Sequence, residues 1–355
     1  MKIGYSFWGF LTPFEENTIV ATPDGERGNR VDFVEELLKR GHEVTRLQVQ
    51  RDAKQYKNVC VNAARDIPDV DVAYFEWRWP TWKNDQKLGG DKATEPDYHR
   101  QLQCLQHYHK KGIPIIIHDG DLKMTPAEEL MFPNAVLADA CAKPQIQTRR
   151  RITLPWCNYL NRRMKTVDYS YNYTYVGNNY ERDKQFKKYY GLPARALRER
   201  GVQTMIHGNW LDRSPERRDP SELLKENPNI AIGGRLAYNE IFNAFNNSIA
   251  VTHITKDEYV PYGNITGRFM EAVMAGTVAL IPNEYIHARP VGLKEFLVNS
   301  PEDVIRCINM LNNMSAAGRN QIVQEQERSL RKVVDIRPEH RVDIIEAVAR
   351  GHIKA

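Results

Sequence analysis

The sequence predicts an α/β protein built from two doubly wound parallel sheets. Three observations carry that prediction. Short apolar runs of strand length alternate with amphipathic segments of helix length from the first residues onward. The alternation lapses in an irregular, proline-containing stretch, "RRITLPWCNYLNRRMKTVDYS", and then begins again. The chain has 355 residues, enough for two domains that each bury a core.

The elements follow in order. "KIGYSFW" is a short apolar strand. "GNRVDFVEELLKRG" sets Val31, Val34, Leu37 and Leu38 at helical spacing and closes at Gly41. "HEVTRLQV" is strand-like, and "DVDVAYFEWRW" is a third strand. "EPDYHRQLQCLQHYHKKG" is a helix ending at Gly112, and "IPIIIHDGD" is an apolar strand that ends in charge. An interdomain linker is expected near residues 160–172. Beyond it come "YSYNYTYVGNN" as strand, "RDKQFKKYYG" as helix and "VQTMIHG" as strand, followed by "NIAIGG". Next are "LAYNEIFNAFNNS" as helix, "IAVTHIT" as strand, "TGRFMEAVMAG" as helix and "TVALIPN" as strand. "PEDVIRCINMLNNM" and the tail from Pro338 read as terminal helices. The expected domains are 1–165, 172–335 and a C-terminal helix at 336–355 that packs back on the first. A ligand is expected in a cleft between the two halves, at the C-terminal ends of the strands.

Composition narrows the class. Hydrophobic residues make up 41% and charged residues 27%, as in a globular protein rather than a disordered one. No apolar run approaches the ~20 residues of a membrane span. "MKIGYSFWGF" lacks a signal-peptide cleavage site, so a cytoplasmic protein is expected; a monomer is expected as well. Five cysteines without C-x-x-C spacing read as buried reduced thiols. The net charge of +5 leans toward polyanionic partners. "TRRR" (Thr148 to Arg151) and "NRRMK" (Asn161 to Lys165) are either part of such a surface or simply solvated.

Two stretches carry donor chemistry. In "VGNN", Gly177 lets the backbone approach a ligand, Asn178 can donate, and the helix that follows offers free N–H groups to a diphosphate. Arg182 and Lys184 add charge. The competing reading is an ordinary strand-to-helix turn. In "GNITGRFMEAVMAGTVALIPNEY", Arg268 and Glu271 lie three residues apart in the first turn of a helix and share one face. A carboxylate there can take two ribose hydroxyls, and an arginine beside it can grip a diphosphate. The alternative is a helix-stabilising ion pair worth ~0.3–0.5 kcal/mol. There is no Walker sequence and no G-x-G-x-x-G.

Three blocks, "YVGNNYERDKQFKKYY", "GGRLAYNEIFNAFNNSIAVTHITKDEY" and "ITGRFMEAVMAGTVALIPNEY", resemble in order the donor half of GT-B glycosyltransferases. They are most similar to the DNA glucosyltransferases and arabinosyltransferases of T-even-type phages, which modify 5-hydroxymethylcytosine. The resemblance covers most of residues 172–285; the first half matches in layout only. It implies a GT-B fold of two Rossmann-like domains and a UDP-sugar donor. It implies Gly177, Asn178 and Arg182 near the diphosphate, Arg268 in contact with it and Glu271 on the ribose. Gly234, Arg235 and Leu236 would meet the uracil. Arg182 is less secure than Arg268, because the first block departs from the phage pattern in its basic residues.

The first half would then hold the acceptor. A hydroxyl is a poor nucleophile, and a carboxylate placed to take its proton remedies that. The resemblance makes the carboxylate after "IIIH" the general base. Asp119 aligns best and Asp121 is the alternative. His118 orients the base or caps the strand. Asp119 could equally cap a helix, and "DGD" also reads as a D-x-D cation motif. The donor half supplies a diphosphate site without metal, so no cofactor is required, although a divalent cation is compatible. His99, His107 and His109 show no metal-ligand spacing. In "FEWRWPTWKN", Trp77, Trp79 and Trp82 interleave with Arg78 and Lys83, a pattern suited to stacking on a flipped base; one tryptophan could instead be core. Arg149, Arg150 and Arg151 complete the expected contacts to duplex DNA. "GERGNR", before the first helix, either covers the reaction centre or is a simple turn. The expected activity is inverting transfer from a UDP-sugar to the hydroxymethyl group of 5-hydroxymethylcytosine in duplex DNA, a phage DNA modification that protects against host nucleases. The rivals are a GT-B enzyme acting on a protein or glycan and a non-catalytic DNA-binding module.

Overall fold

The structure, a computed structural model, describes residues 1–7, 27–47, 62–63, 65–77, 95–142, 150–155, 169–178, 182–211, 220–236 and 238–355. It divides into two compact units, Met1–Tyr159 with Asp335–Ala355, and Leu160–Val334.

The first unit holds a parallel sheet of β1 (Lys2–Ser6), β2 (Glu43–Arg46), β3 (Asn62–Ala63), β4 (Val72–Glu76), β5 (Ile115–His118), β6 (Ala135–Asp139) and β7 (Arg151–Thr153). Their order is β3-β2-β1-β4-β5-β6-β7. Its helices are α1 (Arg27–Lys39), α2 (Glu95–Lys110), α3 (Pro126–Met131) and the C-terminal helix Pro338–Ala349. Side chains alternate across each strand, so one sheet buries two cores. Val72 and Tyr74 pack with Phe33, Leu37, Val342 and Ile345 on one face. Ala73 and Phe75 pack with Cys104, Leu105 and Tyr108 of α2 on the other. The C-terminal helix is pinned by Arg40 to Asp343 at 2.7 Å and by His42 to Glu346 at 2.9 Å. The strand order reverses direction between β1 and β4, the kind of switch point at which sheets of this class commonly bind ligands.

The second unit has β8 (Tyr171–Val176), β9 (Thr204–His207), β10 (Ser248–Thr252), β11 (Val278–Pro282) and β12 (Leu297–Val298), all parallel, in the order β12-β11-β10-β8-β9. Its switch point lies between β8 and β10. The segment after β8 is helical from Asp183 to Arg198: α4 (Asp183–Phe186), a π-helical turn (Lys187–Gly191) and α5 (Leu192–Arg198). The wider turn places both Tyr189 and Tyr190 in the core. Further helices are α6 (Pro220–Glu226), α7 (Tyr238–Asn246), α8 (Gly267–Met274), α9 (Ala288–Val291), α10 (Pro301–Asn312) and α11 (Ala316–Val333).

Three details correct or extend the sequence reading. Part of the stretch expected to be irregular is β7, an edge strand of three residues. "NIAIGG" contributes a single bridge, Ile206 to Ile232. Residues 316–333, given no helix from the sequence, form the long helix α11. Cys104, Cys141 and Cys307 are buried free thiols. Among the described residues, no helix is long and apolar enough to cross a membrane.

Candidate functional site

In the second unit three glycine-bearing loops meet backbone to backbone at the ends of β8 and β9. Gly177 N–H donates to the His207 carbonyl at 2.9 Å, and the Gly177 carbonyl accepts from Trp210 Nε1 at 2.8 Å. Gly208 N–H donates to the Gly234 carbonyl at 2.6 Å. Asn209 N–H donates to Asn178 Oδ1 at 3.0 Å. Gly208 has φ +132°, and a Cβ there would stand 2.0 Å from the Gly177 carbonyl oxygen. Only glycine fits. The "HGNW" after β9 therefore mirrors "VGNN" after β8, a pairing the sequence reading did not single out.

Gly177 is needed for a second reason. A Cβ there would lie 2.5 Å from the Tyr175 hydroxyl and 3.0 Å from Arg182 Nη1. Arg182 Nη1 donates to that hydroxyl at 2.8 Å, so a tyrosine the sequence reading missed aims the arginine. Tyr175 is itself wedged among Phe186, Tyr190 and Trp210. Across the switch point, Arg268 stands in the first turn of α8, after a Thr266 N-cap position, and Glu271 follows at the start of the second turn, not in the first as the sequence suggested. Arg268 Nη1 donates to Glu271 Oε2, with Arg268 30% exposed and Glu271 3% exposed. Arg268 lines a narrow pocket with Tyr175, Val176, Thr252 and His253. Behind it His253 and His287 pack ring on ring at 5.2 Å. Burial pushes His253 well below the usual imidazole range and His287 down to about 4. Both are neutral at physiological pH, so positive charge here comes from the arginines. Gly234 is left-handed at φ +70°, Arg235 is exposed and Leu236 is half-buried.

The first unit gathers buried charge at the C-terminal end of its sheet. Arg30 of α1 donates to Glu76 at the end of β4, from Nε at 2.8 Å and Nη2 at 2.6 Å, and Tyr5 also bonds Glu76. One strand along, Asp119 follows β5 and is 1% exposed. It accepts from Lys123 N–H at 2.7 Å, Met124 N–H at 3.0 Å and Arg151 Nη1 at 3.1 Å. A carboxylate offers about four lone-pair positions, so about one remains for a substrate hydroxyl. Burial pushes the Asp119 carboxyl up to about 6, against the pull of Arg151 and the two N–H donors. Three of its acceptor positions are taken by an arginine and two backbone N–H groups, and the guanidinium charge beside it disfavours a cation. Among the described residues no group of three or more His, Cys, Asp or Glu could hold a metal ion. Asp121 is half-buried and His118 is buried.

Two expected DNA contacts are corrected. Trp77 is 0% exposed, its ring part of the α2 core and edge-on to Tyr98, so it cannot stack on a base. Arg151 is 2% exposed and enclosed by Asp119, Glu129 and Asp139. It belongs to the Asp119 site, not to a phosphate-binding surface. Arg150 is exposed. Arg78, Trp79, Trp82, Lys83 and Arg149 lie outside the described residues.

Comparison with known proteins adds a family model and a fold. Residues 192–347, which include Gly234, Arg268 and Glu271, match a family described as glycosyl transferase-like. No curated protein matches the chain in sequence. An α-glucosyltransferase solved with UDP and a 13-mer DNA containing an HMU base superposes with a TM-score of 0.64 at 12% identity, over 98% of this chain and 99% of that one. T4 phage β-glucosyltransferase with its UDP-glucose substrate gives 0.59 at 15% identity, over 99% of both chains. The same phage enzyme with UDP and Mn²⁺ gives 0.60 at 15%, over 98% and 99%. The chain has the GT-B fold of these phage glucosyltransferases, as the three sequence blocks implied.

Proposed function

We propose that the chain is an inverting glycosyltransferase that moves a sugar from a UDP-sugar to the hydroxymethyl group of a 5-hydroxymethylcytosine in duplex DNA. The observation that carries the donor half is the placing of Arg182 and Arg268 at the switch point of the second unit, within and beside a glycosyl transferase-like segment. The two guanidiniums take the diphosphate, Glu271 takes the ribose hydroxyls while fixing the Arg268 fork, and the loop Gly234–Leu236 takes the uracil. Supporting the acceptor half are Asp119, a carboxylate after β5 that burial raises to about 6 and that accepts three hydrogen bonds, and the DNA-bound α-glucosyltransferase of like fold.

In the reaction, Asp119 takes the hydroxymethyl proton as the oxygen attacks the anomeric carbon. The bond from that carbon to the UDP oxygen breaks, and UDP leaves with the electron pair. Attack opposite the leaving group inverts the anomeric centre. Arg182 and Arg268 stabilise the charge that develops on the departing diphosphate.

The test is mass spectrometry of 5-hydroxymethylcytosine DNA after incubation with a panel of UDP-sugars. One added hexose or pentose mass per modified base is expected, and its size names the sugar. No mass gain with any UDP-sugar overturns the reading. DNA affinity should also fall steeply as salt rises.

A further inference from the structure

Arg151 sits where no surface arginine can act. Its Nε and Nη2 donate to Glu129 Oε1 of α3 at 3.1 and 2.5 Å. Its Nη1 donates to Asp119 Oδ2 at 3.1 Å and lies 3.7 Å from Asp139 Oδ2 at the end of β6. All four side chains are buried. One cation thus serves three carboxylates, and its charge is divided among them. The fork is oriented by Glu129, with which it makes two of its three hydrogen bonds; only the remaining arm reaches Asp119. Asp119 is also held by the N–H groups of its own turn, Lys123 at Oδ1 and Met124 at Oδ2, the oxygen that Arg151 bonds.

We infer that Arg151 and Glu129 are positioning residues for the general base: Arg151 fixes the rotamer of Asp119 and favours its ionised form, and Glu129 limits how much of the arginine's charge Asp119 feels. The inference rests on the Asp119 reading above. Other titratable groups on the neighbouring elements are His118 on β5, Glu76 on β4 and Asp121 and Lys123 in the same turn. Beyond β6, the Cys141 thiol leans on Asp139, and burial raises it far out of its ordinary range. Glu128 of α3 is engaged in the capping box with Thr125. Glu129 and Asp139 are the carboxylates that share Arg151 with Asp119, so they are the levers.

Glu129→Gln keeps an oxygen for Arg151 and removes one negative charge. Both consequences act in one direction on Asp119: a nearby repulsion is lost and the arginine's attraction is less divided. The acid limb of the kcat/KM profile should move about one unit lower, roughly tenfold more activity per unit of enzyme on the acid side, with a modest fall of the plateau. Asp139→Asn should shift it the same way and serves if Glu129→Gln does not fold. Carbon NMR titration of the Asp119 carboxyl, compared with Asp119→Asn to assign it, reads the same displacement without turnover. A folded variant with an unmoved limb and an unmoved carboxyl titration overturns the inference. If the wild type transfers no sugar, the functional reading falls and the catalytic meaning of this inference with it, while the carboxyl titration still decides the charge sharing. If Asp119→Asn is as active as wild type, Asp119 is not the base; a shifted titration would then support the charge sharing alone and overturn its catalytic meaning.

Discussion

At the scale of the residue, the proposed base Asp119 carries a stability cost at neutral pH. Its carboxyl is held at about 6 in the folded chain, above its ordinary value of 3.8. Between those values the folded state keeps a proton that the unfolded chain releases. The stability this confers is present below about pH 4 and is lost as pH rises through 6. Asp119→Asn removes that dependence. It should abolish transfer yet leave thermal stability at pH 8 equal to or above wild type, by an amount of order 1–3 kcal/mol, with the gap closing toward pH 4. A variant less stable at pH 8 than at pH 4, relative to wild type, would contradict this. Glu271 behaves differently. It is 3% exposed and pairs with an arginine that is 30% exposed, so the pair adds at most about 1 kcal/mol to stability. Glu271→Ala should raise the donor KM tenfold or more with the fold intact, and Glu271→Gln should recover part of the loss. Unfolding of the alanine variant would reduce the pair to a staple of α8. Sequence pattern singled out Glu271 and Asp119 as candidates, because a charge beside an apolar run stands out. It misassigned Arg151, whose run of arginines looks like surface until three distant carboxylates are seen to enclose it.

At the scale of the element, strands and helices were legible where one face or both are apolar. β1, β4, β5, β8, β10 and β11 read directly as short hydrophobic runs, and α1 and α8 as amphipathic helices. β7 was not legible, since three residues beginning with arginine carry no period. α11 was hidden for another reason: polar residues occupy its buried face, with Arg319, Asn320 and Gln326 among Val323 and Leu330. Gln326 shows what such a residue does. Its Nε2 donates to the Ala279 carbonyl at 2.6 Å, and its Oε1 accepts from Ala279 N–H at 3.0 Å. Ala279 pairs with β10 on one side, while β12 joins β11 only from Ile281 onward. The glutamine amide stands in for the missing strand. Gln326→Leu fits an apolar side chain there but strands a buried donor and acceptor, and should cost about 2–4 kcal/mol. Urea denaturation followed in the second unit measures it; a loss under 1 kcal/mol would mean water replaces the amide.

At the scale of the whole molecule, the chain returns to its first unit after completing the second, and the last helix is structural there. Val342, Ile345 and Val348 are buried in the core that also holds Phe33, Leu37 and Tyr74. Arg341 donates to the Pro155 carbonyl and lies over the Phe33 ring, while Asp343 and Glu346 tie to Arg40. Removing residues 335–355 takes away the buried Val342, Ile345 and Val348, at about 1.5–3 kcal/mol each, an upper estimate of roughly 4.5–9 kcal/mol for these three. That is comparable with the whole stability of an ordinary domain, about 5–15 kcal/mol. The second unit, Leu160–Val334, keeps its own sheet and core and loses none of its residues. A chain ending at Val334 should therefore retain a cooperative transition in the second unit and lose or sharply weaken the one in the first. Trp210 is the one tryptophan of the six within 160–334, so Trp210→Phe leaves fluorescence that reports on the first unit alone. In that background, truncation should shift the urea midpoint of the fluorescence change to low denaturant, while far-UV dichroism keeps a second transition. An unchanged fluorescence midpoint would mean that α1 and the sheet close their core without the returning helix.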